Sequence, residues 1–209
     1  AGASDVHLKV GMPPGARVNG DLVFFRTDAL KPRDTEAIAS QLVRDPNVHA
    51  TVKTTLKEYD VAYSAPGVGR FRAHIYRQRG TLGAVLRVIP FHTPKLDELG
   101  VPEVSRTLAE KERGLVLVVG AAGNGKSTTL AGMVAHLNET RALHIVTIED
   151  PIEYLHKDNL SSISQRELGG DTASFADALR AAMRQDPDVI LVGEIRDETT
   201  MEIALKAAE

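Results

Sequence analysis

The sequence has no cysteine and no tryptophan, and its 209 residues include only four tyrosines and five phenylalanines. Without cysteine the protein can form neither disulfides nor thiolate metal sites, which fits the cytosol. No apolar run approaches the roughly 18 residues of a membrane span, and no secretory signal is present, so we expect any membrane contact to go through partners. The seven histidines fall in no metal-binding motif, and the net charge of -3 gives no general attraction to nucleic acid.

What the sequence does contain is a glycine-rich loop between an apolar segment and an amphipathic one. Residues 120–128, GAAGNGKST, fit G-x-x-x-x-G-K-[S/T], the phosphate-binding loop of nucleoside-triphosphate enzymes. The β-branched run 115–119 before the loop predicts a central strand of a parallel sheet. The apolar spacing after it predicts a helix over 126–137, whose positive end suits a triphosphate.

The residues expected to bind the nucleotide all lie in this loop. Lys126 should reach the β- and γ-phosphates, and the Ser127 hydroxyl should ligate Mg²⁺. Three glycines should let the backbone curl so that successive N–H groups point inward. The predicted nucleotide-binding residues are Gly120, Gly123, Asn124, Gly125, Lys126, Ser127 and Thr128.

Two further apolar runs end in acidic residues. Residues 143–148 lead into Glu149, and residues 189–192 lead into Gly193 and Glu194. Because ligands bind at the carboxyl ends of parallel strands, both acids should converge on the triphosphate and its metal. One acid can activate water while the other helps to hold Mg²⁺, directly or through a metal-bound water. A typical second strand of this kind ends in Asp, where this sequence has Gly193.

Residues 1–90 predict a small α+β domain. Asn19-Gly20 is the strongest short hairpin signal, because both turn positions require positive φ. The pattern over 32–43 predicts a surface helix with Asp34 or Thr35 as its cap. The other predicted strands of this domain are 6–10, 60–64, 70–77 and 84–89.

A change of composition separates this domain from the rest of the chain. Residues 91–102 have the proline and glycine content of a linker. Residues 103–209 alternate strand and helix, which predicts a doubly wound α/β domain. Its helix over 174–184 has Ser174 or Thr172 as a cap. The sequence starts with Ala and stops inside a helical pattern, so we expect it to be a fragment.

Five arginines lie on the predicted strands and turn of the first domain: Arg70, Arg72, Arg77, Arg79 and Arg87. Arg70 and Arg72 are two residues apart, as are Arg77 and Arg79, so each pair should face one side of its strand or turn. Two explanations account for these arginines equally well. One is a solvated face of the sheet, and the other is contact with a phosphate bound by the second domain of the same or a neighbouring subunit. An arginine in the second role contributes about 10³ to 10⁵ in rate.

The stretches that carry a family resemblance are residues 3–8, 13–14, 17–20, 69–72, 113–128, 147–154, 165–167 and 186–197. In the order of these motifs the sequence resembles the bacterial secretion ATPase superfamily of type II secretion and type IV pili, most of all the twitching-motility pilus retraction ATPases. The phosphate loop departs from the usual family pattern Gly-Pro-Thr-Gly-Ser-Gly-Lys but keeps the residues that face the phosphate.

The resemblance implies a RecA-like P-loop core, preceded by a PAS-like domain and assembled as a homo-hexameric ring. It implies that Glu149 activates water, that Glu194 belongs to the Walker B strand, and that Arg70, Arg72 and Arg79 approach the nucleotide. ATP and Mg²⁺ would bind between the domains, and hydrolysis would drive pilus retraction through an inner-membrane platform protein. The protein would then be cytoplasmic and peripheral to the inner membrane.

Three other functions are compatible with these residues. The assembly or secretion branch of the same superfamily shares both acidic motifs, although the segment 11–14 favours retraction. A regulatory or scaffold protein would bind nucleotide without turnover, against which Lys126, Ser127, Glu149 and Glu194 all argue. A small-molecule kinase would need an acceptor pocket and a lid, for which the sequence gives no sign.

Overall fold

The chain divides into two compact units, which a computed structural model describes over residues 2–90 and 93–209. The first unit is Ala1–Ile89 and the second is Pro90–Glu209, and each has its own sheet. Ala1 of the first predicted domain and residues 91–92 of the predicted linker lie outside the described residues.

The first unit is built on a sheet of six strands in the order β3-β2-β1-β6-β5-β4, with every neighbouring pair antiparallel. The strands are β1 Ala3–Lys9, β2 Gly15–Val18, β3 Asp21–Phe24, β4 Glu58–Ala65, β5 Gly69–Gln78 and β6 Thr81–Ile89. Most neighbours in this sheet are also neighbours along the chain. Local sequence patterns were therefore sufficient to locate them.

Two-residue turns join β2 to β3 and β5 to β6. Asn19 and Gly20 have φ angles of 51° and 92°, so the predicted hairpin is confirmed. Arg79 and Gly80 have φ angles of 47° and 78° at the second turn. Arg79 therefore lies at the tip of a hairpin, whereas Arg77 lies within β5.

Helix α1, Pro32–Leu42, covers one face of this sheet, and the short helix α2, Pro46–His49, follows it. Ala39 of α1 is buried in one cluster with Ala73 and Ile75 of β5, which are both 0% exposed. Side chains alternate along a strand, so Arg70 and Arg72 lie on the opposite face of β5.

The start of α1 differs from the prediction. Lys31, and not Asp34 or Thr35, is the N-cap, because proline at the next position sets the first helical turn. Asp34 is the third helical residue, and its Oδ2 accepts a hydrogen bond from the Lys31 N–H at 2.8 Å. The Thr35 hydroxyl donates to the Pro32 carbonyl instead.

The second unit contains a sheet of three strands in the order β8-β7-β9, and both pairs are parallel, as predicted. Ser174, and not Thr172, caps α5, because its hydroxyl accepts from the Asp177 N–H at 3.1 Å. None of the helices in the described part of the chain combines the length and apolar character of a membrane span. The elements are α3 Val104–Ala109, α4 Lys126–Thr140, β7 His144–Glu149, β8 Ser162–Glu167, α5 Phe175–Ala182, β9 Val189–Val192 and α6 Glu198–Ala208.

Strand β7 is the central strand of this sheet. Its residues Ile145, Val146, Thr147 and Ile148 are all fully buried. A strand packed on both faces is rigid, and its last residue, Glu149, is therefore held in a defined place at the carboxyl edge of the sheet.

The apolar run 115–119 does not form the predicted central strand, and among the described residues it takes no part in either sheet. Four of its five side chains are more than a third exposed, and Val119 is 88% exposed. Together with α4, β9 and α6 the run lines a cavity of about 920 Å³. β-branched residues favour a strand only where a neighbouring strand supplies hydrogen bonds and side-chain contacts, and residues 115–119 lack that pairing.

The predicted linker packs in part on the second unit. A 3-10 helix, Leu96–Glu98, lies beside α4, and Leu96 is buried. A Cβ atom on Gly132 of α4 would stand only 3.0 Å from the side chains of Leu96 and Leu99. The contacts of the buried Leu96 and the half-buried Leu99 with α4 therefore anchor a segment whose composition predicted a linker.

Candidate functional site

The phosphate loop curls through two glycines before α4 begins. Gly123 and Gly125 have φ angles of 80° and 78°, in the left-handed region that other residues rarely adopt. Gly120 lies outside that region, so the curl depends on two of the three predicted glycines. Gly125 is the N-cap of α4 and Lys126 is its first residue, which places the loop at the positive end of a 15-residue helix.

Lys126 and Ser127 line a cavity of about 350 Å³. Nζ of Lys126 donates a hydrogen bond to the Ala121 carbonyl at 2.9 Å, so the ammonium group lies over its own loop. Both predicted acids, Glu149 and Glu194, border the same cavity, as does Gly123. The other predicted loop residues, Gly120, Asn124, Gly125 and Thr128, do not line this cavity and lie in the loop and in the first turn of α4.

Glu149 is surrounded by neutral hydrogen-bond donors. The Thr147 hydroxyl donates to its Oε1 at 2.6 Å, and Nε2 of Gln165 donates to the same oxygen at 3.1 Å. The Glu153 N–H donates to Oε2 at 3.4 Å. Burial raises the pKa of Glu149 above its ordinary value, although these donors act in the opposite direction. A carboxylate with a raised pKa is a stronger base near neutral pH.

Glu194 lies in a more exposed and more charged setting. It follows β9, and its side chain is 39% exposed. Its Oε1 is 2.6 Å from Nη2 of Arg196, while Nη1 of the same arginine is 3.5 Å from Oδ2 of Asp150. Arg196 therefore bridges the acidic residues that follow β7 and β9.

Gly193 stands where a strand of this kind typically ends in Asp, and the structure supplies a reason. Its N–H donates to the Ile148 carbonyl at 2.8 Å, which holds the end of β9 against the end of β7. A Cβ atom at this position would stand 3.3 Å from that carbonyl oxygen and 3.4 Å from Cα of Glu149. The close approach leaves little space for a side chain, and the acid comes one residue later.

The oxygen donors of the cavity suit a hard divalent cation. Ser127 offers a hydroxyl and Glu194 a carboxylate on the same cavity wall. Within residues 2–90 and 93–209, no group of three or more histidine, cysteine, aspartate and glutamate side chains is placed to hold a metal ion by itself. Mg²⁺ usually takes one or two protein ligands and completes its shell with water and substrate phosphates. The donor set fits that kind of site.

Sequence reasoning missed the polar residues that hold Glu149. Thr147 and Gln165 are partners in the parallel register of β7 and β8, and Glu149 is the next residue on the same face of β7. The Tyr154 hydroxyl lies 3.1 Å from the Thr128 hydroxyl and so connects the segment after β7 to α4. Polar residues at alternate positions of a strand that enters a site are the signal that would have identified Thr147, whereas no such alternation marks Gln165 on β8.

The predicted arginines of the site lie in the first unit. Arg70 and Arg72 share one face of β5, as expected, and Nη1 of Arg70 donates to the Ser64 hydroxyl at 3.0 Å. Arg72 is exposed and is the register partner of Arg87 on β6. Arg79 is exposed at the turn between these strands.

Two arginines of the same group have partners that stabilise the first unit. Arg77 donates to the carbonyls of Leu56 and Val52 at 2.9 and 3.0 Å. Nε of Arg87 donates to Oδ1 of Asp5 at 3.2 Å. For Arg77 the structure shows a packing role, whereas the Arg87 side chain is 75% exposed and pairs with Asp5 at the surface.

The sequence of the chain is similar to those of known pilus proteins. It is 44% identical over 211 residues to the "Type IV pilus retractation ATPase PilT" of Pseudomonas aeruginosa, an alignment that covers 100% of this chain and 60% of that protein. It is 44% identical over 197 residues to the "Twitching motility protein" of Neisseria gonorrhoeae, with 94% and 52% covered. The chain thus spans between half and two thirds of the length of these relatives.

The fold is similar to that of a solved structure. The crystal structure of the pilus retraction motor PilT with bound ADP matches 100% of this chain and 60% of its own, with a TM-score of 0.87 and 46% identity. The α/β fold described above is therefore that of a known ATPase structure. The family model described as Type II/IV secretion system protein matches residues 38–209. The chain belongs to the Type II/IV secretion system protein family.

Proposed function

We propose that the protein is an ATP-hydrolysing motor that powers type IV pilus retraction. The observation that supports hydrolysis is that Lys126, Ser127, Glu149 and Glu194 line the same cavity. Triphosphate hydrolysis requires a cation for the phosphates, a metal site and a group that orients or deprotonates water, and these residues provide one of each. The ADP bound in the similar PilT structure supports an adenine nucleotide as the ligand.

In the proposed mechanism Glu149 takes a proton from the attacking water. Its place at the end of a buried strand fixes its position, and burial raises its pKa toward the range in which a base is effective at neutral pH. Lys126 and the loop N–H groups bind the β- and γ-phosphates. Ser127 and Glu194, the latter either directly or through water, would hold Mg²⁺, which would supply positive charge beside the phosphates.

The first unit contributes arginines to the same nucleotide in this proposal. Arg70 and Arg72 on the sheet face and Arg79 at the hairpin tip are the donors, in the same or in a neighbouring subunit. A guanidinium is suited to this role because it stays charged and offers several N–H groups to phosphate oxygens. In the same proposal domain 1–90 is PAS-like, domain 103–209 is a RecA-like core, and residues 91–102 are the linker between the two domains.

The motor acts as a homo-hexamer in the cytoplasm, bound to an inner-membrane pilus platform protein. Support for this part comes from the relatives, whose names refer to pilus retraction and twitching motility. The similarity to the retraction ATPase extends over 100% of this chain, which favours retraction over the assembly or secretion branch of the family. No contact with nucleic acid is part of this proposal.

Phosphate release from ATP by the protein at its full natural length, compared with Glu149→Gln, tests the proposal. We expect the variant to lose about 10² to 10⁴ in kcat, the usual contribution of a general base. Its affinity for a fluorescent ADP analogue should stay within about twofold, since Lys126 and Ser127 are unchanged. Glu202→Gln, on the exposed side of α6, is the control and should match the parent.

Each failure of this test has a distinct meaning. A parent that binds the analogue but releases no phosphate would be a nucleotide-binding scaffold. An active parent with an equally active Glu149→Gln variant would keep the ATPase and remove Glu149 from the role of base.

A further inference from the structure

Gln165 makes three of the hydrogen bonds that surround Glu149 and the segment after it. It lies on β8, in register with Thr147 on β7. Its Nε2 donates to Oε1 of Glu149 at 3.1 Å and to the Tyr154 carbonyl at 2.9 Å. Its Oε1 accepts from the His156 N–H at 2.9 Å. One side chain thus connects the acid at the end of β7 with two points of the segment that follows it.

The orientation of this amide is determined by its partners. Both hydrogens of the NH₂ group point to acceptors, and the oxygen faces a donor. The flipped amide would place its oxygen against a carboxylate and a carbonyl, and its NH₂ group against the His156 N–H. Each of the three contacts would then be repulsive, so Gln165 has a single favourable orientation.

The two oxygens of Glu149 are bonded unequally. Oε1 receives two donors, from Thr147 at 2.6 Å and from Gln165 at 3.1 Å. Oε2 receives the longer contact from the Glu153 N–H at 3.4 Å. Oε1 is therefore the anchored oxygen, and Oε2 keeps the lone pairs for another partner.

We propose that Gln165 is a positioning residue that fixes Oε1 of Glu149, so that Oε2 is the oxygen that takes the proton of the attacking water. The inference rests on the proposed role of Glu149 as the base. Gln165 itself touches neither the water nor the phosphate. It acts by holding the carboxylate in one rotamer and by tying it to the segment 154–156.

The same bonds couple the base to the phosphate loop. Gln165 holds the Tyr154 carbonyl, and the Tyr154 hydroxyl lies 3.1 Å from the hydroxyl of Thr128 in the first turn of α4. Thr128 directly follows Ser127, the residue proposed to ligate the metal. Hydrogen bonds at the backbone carbonyl and at the side-chain hydroxyl of Tyr154 therefore join the first turn of α4 to the base.

The test is Gln165→Met in the full-length protein, because methionine keeps the approximate length of the side chain and removes both donors. We expect kcat to fall by about ten- to a hundredfold, the usual effect of removing a group that orients a reactive one. Affinity for the fluorescent ADP analogue should stay within about twofold. In a Glu149→Gln background the same change should cause no further loss, because Gln165 acts only through that carboxylate.

A second variant and a control complete the experiment. Gln165→Glu keeps the shape and the acceptor for the His156 N–H but replaces both donors by a carboxylate oxygen, so its loss of kcat should equal or exceed that of the methionine variant. Gln185→Met changes an exposed glutamine of the same unit and should match the parent.

Two results would overturn the proposal. Loss of analogue binding in both Gln165 variants would show a structural role, and an equal further loss of kcat in the Glu149→Gln background would show that Gln165 acts independently of Glu149. An inactive parent would instead contradict the ATPase proposal. The failure of one inference is thus distinguishable from the failure of the other.

Discussion

The two glutamates at the edge of the parallel sheet have the same side chain and opposite surroundings. Glu149 ends the buried central strand, its partners are neutral donors, and burial raises its pKa. Glu194 follows the edge strand β9, is 39% exposed, and pairs with the guanidinium of Arg196 at 2.6 Å.

This difference separates two chemical roles. A largely buried carboxylate whose hydrogen-bond partners are neutral binds a proton more readily, which suits a base. A carboxylate that is already paired with a cation, and that solvent can reach, suits the exchange of that cation for a metal ion or its water shell. Position along neighbouring strands brings the acids together, and the neighbours of each one decide what it does.

The largest effect expected from this comparison is on magnesium dependence. Glu194→Gln removes the charge that would hold Mg²⁺ while leaving Glu149 and its donors in place. We expect the Mg²⁺ concentration at half-maximal phosphate release to rise by roughly ten- to a hundredfold. Titration of Mg²⁺ at saturating ATP measures it.

The control for this titration is again Glu202→Gln, which should leave the Mg²⁺ dependence unchanged. Glu149→Gln should lower the maximal rate without changing the midpoint. If instead Glu149→Gln shifted the midpoint and Glu194→Gln did not, the roles of the two acids would have to be exchanged.

Sequence patterns predicted much of this arrangement because the signals are local. The loop motif, the Asn19-Gly20 turn and the apolar runs before Glu149 and Glu194 each depend on neighbouring residues. The convergence of the two acids followed from one general rule about parallel strands. The first unit was predicted best, since most of its strand pairs are neighbours along the chain.

The parts that were not predicted depend on pairing between distant segments. Strand β8 reads SISQRE, with a single apolar residue, so no periodicity marks it, and only its register with β7 places Gln165 beside Glu149. The run 115–119 shows the reverse, because its residues have high strand propensity but no partner among the described residues. The close contacts that leave little space for a side chain at Gly193 are also visible only in the three-dimensional structure.

A smaller effect is expected where the two strand ends touch. Gly193→Ala would place a methyl group 3.3 Å from the carbonyl oxygen of Ile148, the residue before Glu149, so the end of β7 must shift by a few tenths of an ångström. Because a misplacement of about 1 Å can cost roughly a hundredfold, we expect kcat to fall by about three- to tenfold with unchanged nucleotide affinity. Steady-state kinetics and analogue binding measure the two quantities.

Gly170→Ala is the matched control, since a Cβ there would meet no atom within 4 Å. It should leave kcat unchanged. Equal rates for Gly193→Ala and Gly170→Ala would mean that the contact between the strand ends does not position Glu149.

The smallest effect tests how far the surroundings of Glu149 are buried, and it needs no assay of turnover. Burial lowers the pKa of His156 from 6.5 to about 4, so between these values the unfolded chain binds a proton that the folded chain does not. Stability must therefore fall as pH drops through this window.

His156→Gln removes this contribution, so the melting temperature of the parent relative to the variant should fall by a few degrees between pH 6.5 and about 4. Contributions from other groups cancel in that difference. A difference independent of pH would mean that His156 is solvated. The contrast between the more buried surroundings of Glu149 and the more exposed surroundings of Glu194 would then lose its support.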